Sequence, residues 1–322
     1  MDLSPITKFS GQYDIITVLG ATAGGKTAFA AHLADLTGRE IISADSRQVY
    51  RQMDIGTGKD LNDYIVEGRP VPVHLVDIVE PGEKYNVYRF QQDFVLVWEK
   101  LSNSGKKAVM CGGSGMYIEA ILKDYELISV PFNPGLRESL DKLDTEKLIE
   151  MLASKKKLHN TSDTKERSRL IRALEIAEYY SKNSEASVNK KPLNHLVLGI
   201  KFDRESRRRR ISERLKQRLS AGMIDEVKNL LDHGISKETL IYYGLEYKFI
   251  TLYLDGVLEY NEMVKQLETA IHQFSKRQMT WFRKMERDGI KIHWLDGYMS
   301  MEQKLERLAR ILEKLNKEIH DV

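Results

Sequence analysis

The chain has 322 residues, 42% hydrophobic and 30% charged, enough for one large domain or two modest ones around a sizeable core. A balance of 50 Lys and Arg against 47 Asp and Glu leaves a net charge of +3, so total charge points to no partner. The single cysteine, Cys111, excludes an intrachain disulfide framework and a cysteine-rich zinc module. No apolar run approaches the roughly 18 residues of a membrane helix, and Met1 to Gln12 lacks the apolar stretch of a secretory signal. The expected compartment is the cytosol, with no membrane partner.

The first 125 residues alternate strands and helices. Asp14 to Leu19 is an apolar, β-branched run ending at a Gly-rich turn. Lys26 to Leu36 follows at helical spacing, with Phe29, Leu33 and Leu36 on one side. Glu40–Ala44, Val73–Val79 and Ala108–Cys111 are the next strand candidates, and Tyr88–Leu101 a helix carrying Phe90, Phe94, Val97, Trp98 and Leu101. From about Phe132 to Lys191 the texture is helical only, broken by Lys155-Lys156-Lys157 and the polar stretch Ser181 to Lys191. Strand character returns at His195–Ile200, a long helical stretch runs to about Arg287, and Ile290–Leu295 reads as a last strand. Buried strands alternating with helices imply α/β architecture with a parallel sheet. Residues 1–125 and 195–322 are expected to form a P-loop NTPase-like core, with 126–194 a mostly helical insertion subdomain.

Gly20-Ala21-Thr22-Ala23-Gly24-Gly25-Lys26-Thr27 fits G-x-x-x-x-G-K-[ST] between a strand and a helix, which is the context a phosphate loop requires. Chance would place this pattern in roughly one chain of this size per hundred. Gly20 and Gly25 let the backbone turn its N–H groups inward, where the helix N-terminus adds partial positive charge. Lys26 supplies a full charge for a diphosphate, and the Thr27 hydroxyl can hold Mg²⁺. The second strand candidate ends at Asp45, and ligands of such sheets lie beyond the carboxyl ends of strands. Asp45 could be a general base, support Mg²⁺ through water, or cap the next turn. Ser114 follows Gly112-Gly113 at the end of another strand, and its hydroxyl could donate to a leaving oxygen or cap a helix. Cys111 reads as core rather than nucleophile, and Asp77 as a metal-supporting strand end or a turn former.

Together the phosphate loop, Ala44–Tyr50 with Met53–Lys59, His74–Asp77, Gly112–Tyr117, Arg169–Glu175 and Lys276–Arg283 resemble the tRNA dimethylallyltransferase family, in bacterial form. The six blocks keep the family's order over about 270 residues, and only the phosphate loop is shared with unrelated enzymes. The resemblance implies transfer of a dimethylallyl group from dimethylallyl diphosphate to the exocyclic N6 amine of the adenosine 3′-adjacent to the tRNA anticodon, with release of diphosphate. It makes Asp45 the acceptor of the amine proton and sets Ser114 where the family usually has Thr, against the oxygen joining prenyl and diphosphate. Arg137 matches a position touching tRNA. So do the segments Asp45-Ser46-Arg47-Gln48, Ser168-Arg169-Leu170-Ile171-Arg172, Ile241-Tyr242-Tyr243-Gly244-Leu245-Glu246 and Lys276-Arg277-Gln278-Met279-Thr280-Trp281-Phe282-Arg283. The chain departs from the family at Ala21, usually Pro, at Gly24, usually Ser, and across Tyr242–Glu246. With one cysteine in the sequence, the zinc-finger extension of some eukaryotic members is not expected.

Two basic stripes stand out in a near-neutral chain. Arg204 to Arg218 holds eight Lys and Arg against Glu205 and Glu213, a net +6, and Lys276 to Lys291 holds a net +4. Lys276, Thr280, Arg283 and Arg287 share one helical face, and such concentrated charge suits a phosphate backbone. The expected partner is a tRNA anticodon stem-loop, gripped between core and insertion with its target adenine flipped out. A single copy of the chain is expected to suffice. Two alternatives compete: an ATP-using P-loop kinase of a nucleoside or small molecule, and a noncatalytic, nucleotide-switched RNA-binding protein.

Overall fold

A computed structural model describes residues 2–155, 166–183 and 193–320. The expected polar breaks at Lys156-Lys157 and most of Ser181–Lys191 lie outside the described residues. By contact density the chain divides into Met1–Tyr125 with Pro192–Val322, and Glu126–Lys191.

In the larger unit, helix α1 (Ser4–Ser10) leads into strand β1 (Ile15–Gly20), helix α2 (Lys26–Thr37) and strand β2 (Glu40–Ser43). A short antiparallel hairpin, β3 (Ile65–Val66) and β4 (Arg69–Pro70), precedes β5 (Val73–His74), α3 (Val87–Asn103), β6 (Ala108–Gly112) and α4 (Gly115–Leu122). The smaller unit holds α5 (Pro134–Asp141), α6 (Thr145–Lys155) and α7 (Arg167–Lys182). The larger unit resumes with β7 (His195–Lys201), α8 (Arg204–Ser220), α9 (Met223–Asp232), α10 (Lys237–Tyr243), α11 (Leu245–Leu254), α12 (Tyr260–Arg287), β8 (Ile292–Asp296) and α13 (Met301–His320).

Six strands form one parallel sheet in the order β5-β2-β6-β1-β7-β8. The strands are apolar on both faces because both faces are covered. On β1, Ile15 and Leu19 join a core built with α3, α4, α8 and α12, while Ile16 and Val18 join a second core under α1, α2 and α13. Leu140, Leu148, Leu152, Leu170, Ile171 and Leu174 form the separate core of the smaller unit. Among the described residues no helix is long and apolar enough to cross a membrane.

One strand reading fails. The expected Val73–Val79 strand stops at His74, because Leu75 and Asp77 turn left-handed at φ 61° and 55°. Beyond the turn, Ile78 and Val79 donate to the Val49 carbonyl at 2.8 and 3.0 Å. Asp77 is a turn former whose carboxylate pairs with the buried Lys59 ammonium. The β3–β4 hairpin went unread: two-residue strands carry too little alternation to register as a pattern.

Candidate active site

Three adjacent strands, β2, β6 and β1, deliver Asp45, Ser114 and the phosphate loop to the same end of the sheet. The loop enters α2 through Gly25 at φ 69°, a left-handed conformation that costs glycine nothing. Ala23 is also left-handed, at φ 60°, a strain on the order of 1 kcal/mol for a residue with a Cβ. Its carbonyl is fixed by Arg210 Nε at 2.9 Å.

Beside the loop lies a cavity of ≈ 380 Å³, lined by Ala23 to Thr27, Gln48, Gly58, Asp63, Arg214 and Arg218, among others. Arg214 donates to the Gly58 carbonyl at 3.2 Å, and Arg218 stands 3.6 Å from Glu246. Burial lowers the pKa of Lys26, Arg214 and Arg218 here. For Arg214, burial and then the Arg218 charge bring it down to about 10. For Lys26, burial is again the largest cause, with both arginines adding to it and Asp45 opposing. Cations crowded so closely in a partly dry cavity favour a multiply charged anion between them.

Of its possible roles, Asp45 visibly fills the turn cap. Its Oδ1 accepts the backbone N–H groups of Arg47 at 2.9 Å and Gln48 at 3.4 Å, which caps the turn. Oδ2 makes no hydrogen bond among the described residues. Ser114 occupies the cap position of α4, yet its side chain makes no cap bond. Instead Ser114 Oγ accepts the Ser46 N–H at 3.1 Å and donates to Ser46 Oγ at 3.4 Å, which ties the β6 turn to the Asp45 turn. Cys111 is buried, its thiol pushed up to about 12 by burial, as expected of a core residue.

Gln278 is the brace of this site. From α12 its Oε1 accepts the Thr22 N–H at 2.9 Å, and its Nε2 donates to the Gly113 carbonyl at 2.9 Å. The packing is so close that a Cβ on Gly113 would stand 2.6 Å from that Nε2. Removing the amide leaves two backbone groups without partners, at about 1–3 kcal/mol each. Gln278→Ala is therefore expected to slow the single-turnover reaction of this site roughly fivefold to a hundredfold and to lower the melting temperature. An unchanged rate would remove Gln278 from the site.

Three comparisons bear on this arrangement. A family model described as IPP transferase matches residues 48–285. A protein named tRNA dimethylallyltransferase 1 from Parabacteroides distasonis is 58% identical over 301 residues, covering 93% of this chain and 98% of that one. The chain belongs to the IPP transferase family. Among solved structures, the full-length tRNA isopentenylpyrophosphate transferase from Bacillus halodurans matches with a TM-score of 0.68 at 28% identity, covering 96% of this chain and 99% of that chain. A eukaryotic dimethylallyltransferase, solved in crystallographic snapshots of its action on tRNA, shares the fold with a TM-score of 0.70 at 21% identity, over 88% of this chain and 73% of its own.

The segments that resemblance to the family marks for RNA divide into accessible and buried side chains. Arg47, which donates to the Tyr242 carbonyl at 3.2 Å and lies 5.5 Å from that ring's centre, forms an accessible surface with exposed Ile241 and Tyr242. Lys276, Arg277, Thr280 and Arg283 are exposed on α12. By contrast, Tyr243, Met279 and Phe282 pack into the main core and Leu170 and Ile171 into the smaller one, so their side chains are structural rather than RNA contacts. Trp281 fits against Gly115, where a Cβ would stand 2.4 Å from its ring. Glu246 faces Arg218 at 3.6 Å, and Leu245 packs against the main core.

In the smaller unit, Ser168 and Arg169 are exposed. Arg137 grips Glu175 through two bonds of 3.1 and 2.8 Å, and Arg172 shares that carboxylate. Burial raises the pKa of Glu175, but the two guanidiniums outweigh it and hold the carboxyl at about 2. Arg137 and Arg172 thus present only part of each guanidinium outward.

Sequence reasoning missed Glu226. Its carboxylate accepts the N–H groups of Asp54, Ile55 and Gly56 at 2.8, 2.7 and 2.9 Å and the Tyr247 hydroxyl at 2.7 Å, fixing the loop that walls the phosphate cavity. No motif marks it, since an acid on an amphipathic helix looks like any other.

Proposed function

We propose that this chain transfers the dimethylallyl group of dimethylallyl diphosphate to the exocyclic N6 amine of the adenosine 3′-adjacent to the tRNA anticodon. The observation that carries the reading is the meeting of a cationic cavity, the Ser114 hydroxyl, whose proton is held only by a long 3.4 Å bond to Ser46 Oγ, and a half-satisfied Asp45 carboxylate at one end of the sheet. The loop N–H groups with Lys26, Arg214 and Arg218 would hold the diphosphate. As the amine nitrogen bonds to the prenyl carbon, the carbon–oxygen bond breaks and its electron pair leaves with the diphosphate. Ser114 donates to the departing bridging oxygen. Asp45 Oδ2 takes the proton that the nitrogen must lose. The adenine reaches these groups only after leaving the base stack.

Among the described residues no cluster of three His, Cys, Asp or Glu side chains could hold a metal ion. That fits Mg²⁺ carried mainly by the substrate's phosphate oxygens and water, with the Thr27 hydroxyl as a protein ligand. When bound, Mg²⁺ would neutralise charge on the leaving diphosphate. All these residues come from one chain, so we read the enzyme as active without a second copy, in the cytosol where its RNA substrate is made.

The test is incubation with labelled dimethylallyl diphosphate and unmodified tRNA, ATP omitted. Label is expected to enter the RNA as diphosphate appears. A reaction that requires ATP and passes its phosphoryl group to a small acceptor would make the chain a kinase instead.

A further inference from the structure

The basic run on α8 divides by helical phase. Arg210, Arg214 and Arg218, spaced four apart, turn to the phosphate loop and its cavities. Arg204, Arg207 and Arg208 line a separate cavity. Long arginine side chains have many rotamers, so a site that relies on Arg214 and Arg218 needs something to place them. That support is the loop from Asp54 to Lys59, which lines the same cavity.

Gly58 is where loop and arginines meet. Its φ of 67° is left-handed, and a Cβ there would stand 1.4 Å from Arg218 Nη2 and 2.1 Å from Arg214 Nη2. The bare backbone therefore seats both guanidiniums, and the Gly58 carbonyl accepts from Arg214 Nη2 and Gln48 Nε2, each at 3.2 Å. The turn is closed by the Gly58 N–H on the Ile55 carbonyl at 3.1 Å and the Lys59 N–H on the Asp54 carbonyl at 2.9 Å. Glu226 of α9 holds the front of that turn. Its Oε2 accepts the N–H groups of Asp54 and Ile55, and its Oε1 accepts the Gly56 N–H and the hydroxyl of Tyr247, which is 1% exposed. Three consecutive N–H groups make a nest for an anion, and here the anion is a side chain. The buried Lys59 ammonium ties the other end to the Tyr50 carbonyl at 2.9 Å and to the carboxylates of Asp54 and Asp77.

We propose that Glu226 is a positioning residue for the diphosphate site, acting through Gly58 on Arg214 and Arg218. The proposal rests on the reading above that this cavity takes a diphosphate. A carboxylate is needed at 226. Each of its oxygens already accepts a backbone N–H, so either orientation of a glutamine amide would turn its NH₂ group on a backbone donor. Glutamine has the same size, so the packing of α9 is kept while the turn loosens. The guanidiniums would then spread over several rotamers, and the cost of ordering them would fall on diphosphate binding. Asp45 and Ser114 follow β2 and β6, outside this loop, so the chemical step in a filled site should change little.

The experiment measures inorganic diphosphate affinity by titration calorimetry, and steady-state prenyl transfer to tRNA, for the full-length chain and its Glu226→Gln variant. The variant is expected to bind diphosphate roughly tenfold more weakly and to raise the KM for dimethylallyl diphosphate alike, with kcat within about threefold. tRNA affinity should stay within about twofold. In a chain already carrying Arg214→Ala/Arg218→Ala, Glu226→Gln should cost less than about twofold more, because the groups it acts through are gone. Tyr247→Phe, which removes one bond to Glu226 and keeps the ring in the core, should weaken diphosphate roughly threefold, and it carries the test if Glu226→Gln does not fold. Unchanged diphosphate affinity in the folded variants would overturn the proposal. So would an undiminished loss without the two arginines, or a fall in kcat and tRNA affinity of the same size, since each would make Glu226 a support of the fold at large. An unaltered chain that binds no diphosphate would instead strike the functional reading.

Discussion

Asp45→Asn is expected to cut single-turnover prenyl transfer by roughly a hundredfold or more while both substrates still bind within several-fold. An adenine amine is a weak nucleophile because its lone pair is delocalised into the ring. It must shed a proton as the new bond forms, or the product carries an unfavourable positive charge. A carboxylate within hydrogen-bond reach takes that proton. Asparagine suits the test because its remaining oxygen can still accept the Arg47 and Gln48 N–H groups that Oδ1 now holds, so the turn survives. What it loses is the basicity of the second oxygen. A residue that supported Mg²⁺ would behave differently: its loss would weaken diphosphate binding and be rescued by excess metal. Such rescue would remove the base assignment.

Lys26→Ala is expected to weaken diphosphate binding by roughly tenfold to a hundredfold, the span of a lost charge-assisted hydrogen bond of about 1.5–3 kcal/mol, and to slow transfer at least as much. Arg214 and Arg218 line the same cavity, so some affinity should survive. tRNA affinity should hardly change. Isothermal titration with inorganic diphosphate and RNA separately reads both quantities, and lost RNA binding with intact diphosphate binding would contradict the assignment. The pH dependence has a definite sign. Burial lowers the Lys26 pKa from its ordinary 10.5, so its charge is lost as pH rises through that lowered value. Diphosphate affinity should therefore decline on the alkaline side sooner than for an ordinary lysine, and Lys26→Ala should reduce that early decline to the part contributed by Arg214, itself brought down to about 10.

The phosphate loop, Asp45 and Ser114 were legible because strand, turn and helix follow one another within a few residues there, so local sequence carries the geometry. What escaped depends on distance along the chain. Gln278 sits in a segment assigned to RNA, but its amide ties Thr22 to Gly113, 256 and 165 residues away, a pairing no local pattern encodes. The contact segments mixed two kinds of residue for the same reason. Phe282 and Arg283 are neighbours in sequence, yet one turn angle puts the first in the core and the second on the surface. The α8 arginines were legible as charge, while their division between two cavities required knowing which face meets the loop. The shortened third strand records a tertiary override: the residues are apolar and β-branched, but Asp77 must turn back to reach Lys59.

The most direct measurement is to let the enzyme turn over unmodified tRNA once with labelled dimethylallyl diphosphate, then digest the RNA and locate the label by mass spectrometry. The account predicts one dimethylallyl unit on N6 of the adenosine 3′-adjacent to the anticodon, with one diphosphate released per label and no ATP consumed. Label at another base or on ribose, or labelling that appears only with ATP, would contradict it.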